Sequence, residues 1–182
     1  MLTDHIVFPG ALSDIIEEFS LVIANTTPKS REKNGAGKNV EIEFYGGGYV
    51  SIIEENSFYY FTRANNLNFG YNINSVEALR LEKYKKGGSF SVRKELNHFY
   101  QNYTDRKLLG IINMNEGFDP NEKGGKICLF EGLKKRSYID NIFYEKSGSM
   151  VVFNTFTGYR IEEVLSDELK YLYCFCVGDK WK

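Results

Sequence analysis

The chain opens on a helical spacing and then turns to alternation. In PGALSDIIEEFSLVIAN, Leu12, Ile15, Ile16, Phe19 and Ile23 recur at intervals of three and four, with Pro9 and Gly10 at the entry, which predicts an amphipathic helix. Residues 25–39 are polar, glycine-containing and aperiodic, and read as a loop. VEIEFYGGGYVSIIEENSFYYFTRA (40–64) alternates apolar and polar positions in three runs separated by Gly46 to Gly48 and by Asn56-Ser57, the pattern of a β-meander. NSVEALRLEKYKK fits two elements, since Ser75 suits a helix cap while Leu79 and Leu81 suit a strand. VRKELNHFYQNY sets Val92, Leu96, Phe99, Tyr100 and Tyr103 at helical spacing. Beyond it, KLLGIINM, GGKICLFEG, NIFYEKSG, SMVVFNTF, YRIEEVL and KYLYCFCVG read as short strands between turn residues. Many short strands with one strong early helix predict a mainly β (α+β) fold, a sandwich or jelly roll with helical support.

Composition narrows the picture. A chain of 182 residues suits one domain with a sizeable core, and 13 Tyr and 14 Phe in alternating runs favour sheet. Lys plus Arg (23) nearly balance Asp plus Glu (24), so no overall field favours nucleic acid or an anionic membrane. No apolar run is long enough to span a bilayer, and MLTDHIVFPG lacks the basic start and apolar core of a signal peptide. Cys128, Cys174 and Cys176 form no CxxC pair and read as reduced core thiols, which points to the cytoplasm. The triple glycine is followed by YVSII rather than by Lys-Ser/Thr and a helix, so it reads as a turn and not as a phosphate cradle.

Three separated stretches carry a family likeness. YKKGGSFSVRKE (84–95), RKLLGIINMNEGFDPNEKGGKICLFEG (106–132) and SGSMVVFNTFTGYRIEEV (147–164) follow one another with matching spacings. In order they resemble the prolyl-4-hydroxylase-like Fe(II)/2-oxoglutarate oxygenases. Asn113-Met114-Asn115 stands where that family has a strand ending in Tyr-Leu-Asn, and Gly124-Gly125-Lys126-Ile127 where it has Gly-Gly-Glu-Leu. Phe153, Ile161 and Val164 match the frame around the family's distal iron-binding His. The resemblance implies a double-stranded β-helix (distorted jelly roll) over residues 79–182, supported by an N-terminal helix and meander over 1–78, within a single domain 1–182. It also implies a strand through Glu95, against the helical spacing that begins at Val92.

Carried over position by position, the family's iron ligands fall on Arg93, Glu95 and Tyr159. The family's chemistry needs two His and one carboxylate around Fe(II), with positions left open for 2-oxoglutarate and oxygen. Arg93 offers no lone pair, Glu95 is a carboxylate one methylene longer than Asp, and Tyr159 ligates only as phenolate. The chain has two histidines, His5 and His98; His98 lies three residues past Glu95 and is, with Glu95, a weak candidate ligand. Lys170 and Tyr84 are candidates for holding the 2-oxoglutarate carboxylate or another anion. Lys83, Lys85, Lys86, Arg93 and Lys94 form a basic cluster that either meets an anion or protects a sheet edge. Arg93 and Glu95, two apart on one strand face, are expected to form an internal salt bridge in place of the metal.

The expected function is that of a non-catalytic relative of these oxygenases, without Fe(II) or 2-oxoglutarate, that binds a protein or small molecule at the barrel mouth. An active hydroxylase with atypical ligands, using both cofactors, is the first alternative. A small immunity or inhibitor protein that binds a protein toxin is the second.

Overall fold

The structure, a computed structural model, describes residues 4–28, 30–33, 37–45, 50–77, 79–96, 104–132, 134–166 and 168–180. In chain order the elements are β1 (His5–Phe8), α1 (Ser13–Ala24), β2 (Ser30–Lys33), β3 (Gly37–Tyr45) and α2 (Ser51–Ala64), which runs into a π turn over Asn65–Phe69. There follow β4 (Ile73–Val76), β5 (Leu79–Arg93), β6 (Thr104–Asn113), α3 (Pro120–Lys123), β7 (Ile127–Glu131), β8 (Lys134–Tyr138), α4 (Ile142–Glu145), β9 (Met150–Asn154), β10 (Gly158–Ile161) and β11 (Glu168–Asp179).

Among the described residues the strands form one antiparallel hydrogen-bonded path, β1-β9-β6-β11-β5-β10-β7-β8, with β3 and β4 joined to β5 and β11 and β2 joined to β3. β5 turns the corner. Its first half pairs with β11 and β3, and its second half pairs with β10, placing Arg93 opposite Tyr159. The bend falls at Gly87-Gly88. Gly87 has φ +76°, and a Cβ on Gly88 would lie 2.5 Å from the Lys85 carbonyl oxygen. Val164 locks the bend by exchanging backbone hydrogen bonds with both glycines, at 2.7 and 2.8 Å. The curled sheet is the double-stranded β-helix that the resemblance implied, mainly β with helical support.

Alternation along the central strand separates two apolar layers. From β11, Leu169, Tyr171, Tyr173 and Phe175 enter the curl of the sheet, with Leu109, Ile111, Val151, Phe153 and Tyr159. Leu172, Cys174 and Cys176 face the other way, against Ile16 and Phe19 of α1 and Ile53 and Phe61 of α2. Because β11 is covered on both faces, its sequence is nearly continuously apolar. Gly110 lets α2 approach, for a Cβ there would lie 2.9 Å from the Phe61 ring.

Four sequence readings are corrected. The expected meander over 40–64 is one strand and one helix, and the β-meander part of the 1–78 support is therefore absent. Val50, Ile53, Ser57, Phe61 and Ala64 are buried at intervals of three, four, four and three, a helical face within what reads as alternation. The expected loop at 25–39 contains β2, a wholly polar strand that pairs antiparallel with β3, Ser30 opposite Phe44 and Lys33 opposite Glu41. NIFYEKSG holds a helical turn rather than a strand, which lets the adjacent Phe143 and Tyr144 both enter the core. Finally, β1 and β3 pair with β9 and β5, so strands from residues 1–78 extend the sheet of the expected core.

Candidate functional site

Arg93 ends β5, Glu95 lies two residues further on in irregular backbone, and Tyr159 sits on β10 opposite Arg93. Their side chains meet. Arg93 Nε donates to the Tyr159 hydroxyl at 2.6 Å, and that hydroxyl donates to Glu95 Oε1 at 2.6 Å. The expected Arg93–Glu95 ion pair is present at 3.3 Å, but the strand implied through Glu95 is corrected: β5 ends at Arg93, so the two residues do not share a strand face.

Three further residues, Arg80, Glu82 and Arg106, complete the cluster, and none was singled out from the sequence. Arg80 and Glu82 share the inward face of β5 with Tyr84, following the period of two in Leu79-Arg80-Leu81-Glu82-Lys83-Tyr84. Arg80 forks onto Glu95 at 2.6 and 3.1 Å and meets Glu82 at 2.9 Å. Arg93 holds both Glu82 carboxylate oxygens, at 2.7 and 2.8 Å, and the Tyr84 hydroxyl donates to one of them. Arg106 of β6 pairs with Glu77 at 2.6 Å and approaches Glu95 Oε2 at 3.6 Å. The guanidinium groups lie on aromatic floors: Arg93 is 3.5 Å from the Phe90 ring centre, Arg106 3.8 Å from Phe175 and Arg80 4.6 Å from Tyr173.

The electrostatics keep this network charged. Burial alone pushes the Glu82 carboxyl up, but the Arg93 and Arg80 charges outweigh it and hold it below the ordinary range. Glu95 is held at about 2, because the Arg80 and Arg93 charges and the Tyr159 hydrogen bond overcome the same burial effect. Burial pushes the Tyr159 phenol well up, so it stays a neutral O–H donor.

This donor set does not fit Fe(II). Of the three positions, Arg93 is a cation, Tyr159 keeps its proton, and the Glu95 carboxylate is taken by Arg80, Arg93, Arg106 and Tyr159. Among the described residues no group of three or more His, Cys, Asp or Glu side chains could hold a metal ion. The interior beside the network is filled by Tyr84, Tyr159, Tyr171 and Tyr173, all fully buried.

The remaining candidates lie elsewhere. Lys170 shares a face with Leu172 and Cys174, and that is the outer, helix-covered face of the sheet. Its ammonium pairs with Glu168 at 2.9 Å, so Lys170 is not a cation aimed into the barrel; the inward positions of β11 are its neighbours Leu169 and Tyr171. Tyr84 does point inward, and its hydroxyl is committed to Glu82 and lies 3.4 Å from that of Tyr173. His5 stands on β1 opposite Phe153, with Nε2 3.7 Å from Asp140. His98 lies outside the described residues, as does most of the expected helix after Val92. In the basic cluster, Lys83 pairs with Glu43 at 2.7 Å on the outer face, while Lys85, Lys86 and Lys94 are exposed.

Asn113 and Asn115 fix the inner end of β6. Asn113 Nδ2 donates to the carbonyls of Asn115 and Lys146, at 3.1 and 3.2 Å. Asn115 bonds both backbone polar groups of Lys170, at 2.8 and 2.9 Å. The Asn-x-Asn of the resemblance is thus a structural brace between strands.

No family model matches the sequence, and no curated protein matches it. Solved structures do match. A prolyl-4-hydroxylase from Pseudomonas putida superposes with a TM-score of 0.72 at 12% identity, covering 98% of this chain and 94% of that one. The prolyl hydroxylase of Trichoplax adhaerens, in complex with a hypoxia inducible factor fragment, gives 0.72 at 13% identity over 97% and 84% of the two chains. A viral collagen prolyl hydroxylase from Paramecium Bursaria Chlorella virus-1 gives 0.66 at 16% identity over 97% of both. The chain therefore has, over nearly its whole length, the double-stranded β-helix fold of the prolyl-4-hydroxylase-like Fe(II)/2-oxoglutarate oxygenases.

Proposed function

We propose that the protein is a non-catalytic relative of the 2-oxoglutarate oxygenases that binds another molecule at the mouth of the barrel. The observation that carries this reading is the closure of Arg93, Glu95 and Tyr159 on one another, at 2.6 to 3.3 Å, in the positions to which the sequence resemblance assigns iron ligands. An Fe(II) site needs lone pairs directed at one point and open positions for co-substrate and oxygen. Here two of the three side chains carry protons toward that point, and the third is saturated by donors. The tyrosines beside these three side chains support the same reading, since Tyr84, Tyr171 and Tyr173 are fully buried and fill the interior next to them.

Anaerobic titration of the metal-stripped protein with Fe(II) and 2-oxoglutarate tests it. The expected result is no metal-to-ligand charge-transfer band and no succinate on admitting oxygen. A clear band, or stoichiometric succinate, would overturn the proposal in favour of a hydroxylase with atypical ligands.

A further inference from the structure

Glu82 and Glu95 both hold the Arg80 and Arg93 guanidinium groups, and they differ in where they come from. Glu82 lies within β5 with its side chain fully buried, fixing Arg80 and Arg93 from inside the barrel. Glu95 lies beyond the end of β5, and its carboxylate, 8% exposed, reaches back to the same cations from the water side. The groups it meets come from three strands: Arg80 and Arg93 from β5, Arg106 from β6 and Tyr159 from β10.

Each donor is also held by something other than Glu95. Arg80 meets Glu82 and the Tyr173 ring, and Arg93 meets Glu82 and the Phe90 ring. Arg106 meets Glu77 and the Phe175 ring, and the Tyr159 hydroxyl accepts from Arg93. The donor set therefore keeps its shape when the carboxylate leaves. A guanidinium fork, two further cations and a hydroxyl, fixed in advance on a sheet, make up a preorganised carboxylate receptor.

We infer that Arg80, Arg93, Arg106 and Tyr159 form a receptor for an organic carboxylate whose resident ligand is the chain's own Glu95. The molecule that binds at the barrel mouth is then a small organic acid that enters by taking the place of Glu95. This names the ligand class of the proposed binding site and rests on that reading. Without Glu95, the three guanidinium groups keep ion pairs, among the described residues, with Glu82 and Glu77, and the buried excess of positive charge demands an anion. A carboxylate tethered two residues past the strand acts at an effective concentration on the order of millimolar. A simple acid below that level leaves wild type unchanged, and the true ligand needs further contacts with the rim.

The test uses the Glu95→Ala variant, free of iron, melted in sodium acetate or formate against sodium chloride at equal ionic strength. In chloride the variant is expected to melt below wild type. Acetate or formate is expected to raise its Tm saturably, by about 3–6 °C at ten times Kd, while wild type, whose receptor is already filled by Glu95, shifts clearly less. Equal responses of variant and wild type would overturn the receptor. If the variant does not fold in chloride, refolding from urea gives the same readout: recovery only in formate supports the receptor, and recovery in neither salt overturns it. No iron or 2-oxoglutarate enters this experiment, so its failure leaves the non-catalytic reading standing, whereas a charge-transfer band in the separate Fe(II) titration overturns that reading itself.

Discussion

Arg93 touches Glu82, Glu95 and Tyr159 at once, so it is a hub rather than half of a pair. Taking two buried charges out of water costs several kcal/mol each, and the cost is recovered only while every partner is in place. Arg93→Ala leaves the fully buried Glu82 with Arg80 as its one remaining cation, and we expect a loss of about 3–5 kcal/mol in urea unfolding. Adding Glu82→Gln is expected to cost clearly less than the sum of the two single losses. Additivity within about 0.5 kcal/mol would show the pair to be uncoupled. At this scale half of the cluster was legible before the fold was known. Arg93, Glu95 and Tyr159 were legible because their spacing fits an ordered set of motifs. Arg80 and Glu82 were not, since alternating charged and apolar residues usually mark a strand with one wet face. Here both faces of β5 are covered, which alternation alone does not reveal. The signal that would have found them is Tyr84, a large aromatic on the same face as two opposite charges.

At the scale of elements, the two glycines in YKKGGSFSVRKE set where β5 leaves one side of the barrel for the other. A side chain on Gly88 would stand 2.5 Å from the Lys85 carbonyl and 3.0 Å from that of Asn39, both backbone atoms with little freedom to move. Gly88→Ala is expected to cost about 1–3 kcal/mol in urea unfolding. It is also expected to shift the environment of Arg93, since the bend sets the pairing of Arg93 with Tyr159; an unchanged unfolding midpoint would count against the bend as the element that sets this register. The strands of the barrel were largely legible because most are short, apolar and bounded by turn residues. α2 was not, because its buried positions are diluted by exposed Ile52 and Tyr59, which make a helical face look like alternation. β2 escaped because SREK is wholly polar, and only its partner β3 makes it a strand.

For the molecule as a whole, the same network ties stability to pH. The folded-state values of Glu82 and Glu95 lie below the ordinary 4.5, Glu95 at about 2, so their contribution is fully present above about pH 4.5 and is lost as pH falls toward 2. The urea midpoint is expected to hold steady from pH 7 to about 5.5 and to fall between about pH 4.5 and 2, with Glu95 alone contributing on the order of 3 kcal/mol. Glu95→Gln is expected to flatten this fall. A variant profile parallel to that of wild type would place the acid sensitivity elsewhere. The three neighbours in structure share this fold at 12 to 16% identity, a level at which the shape of the barrel persists while its contents are rewritten.

The reciprocity of the cluster also bears on how such a chain can change over time. A histidine at position 93 would strip Glu82 of its two-oxygen partner, and an aspartate at 95 would draw back from the Arg80 fork. Each single step toward a metal site thus passes through a destabilised protein, and only several substitutions made together reach a new balanced arrangement. The arginine–glutamate lattice acts as a ratchet: once assembled, it resists a change at any one of its positions by the stability lost at the partners left behind.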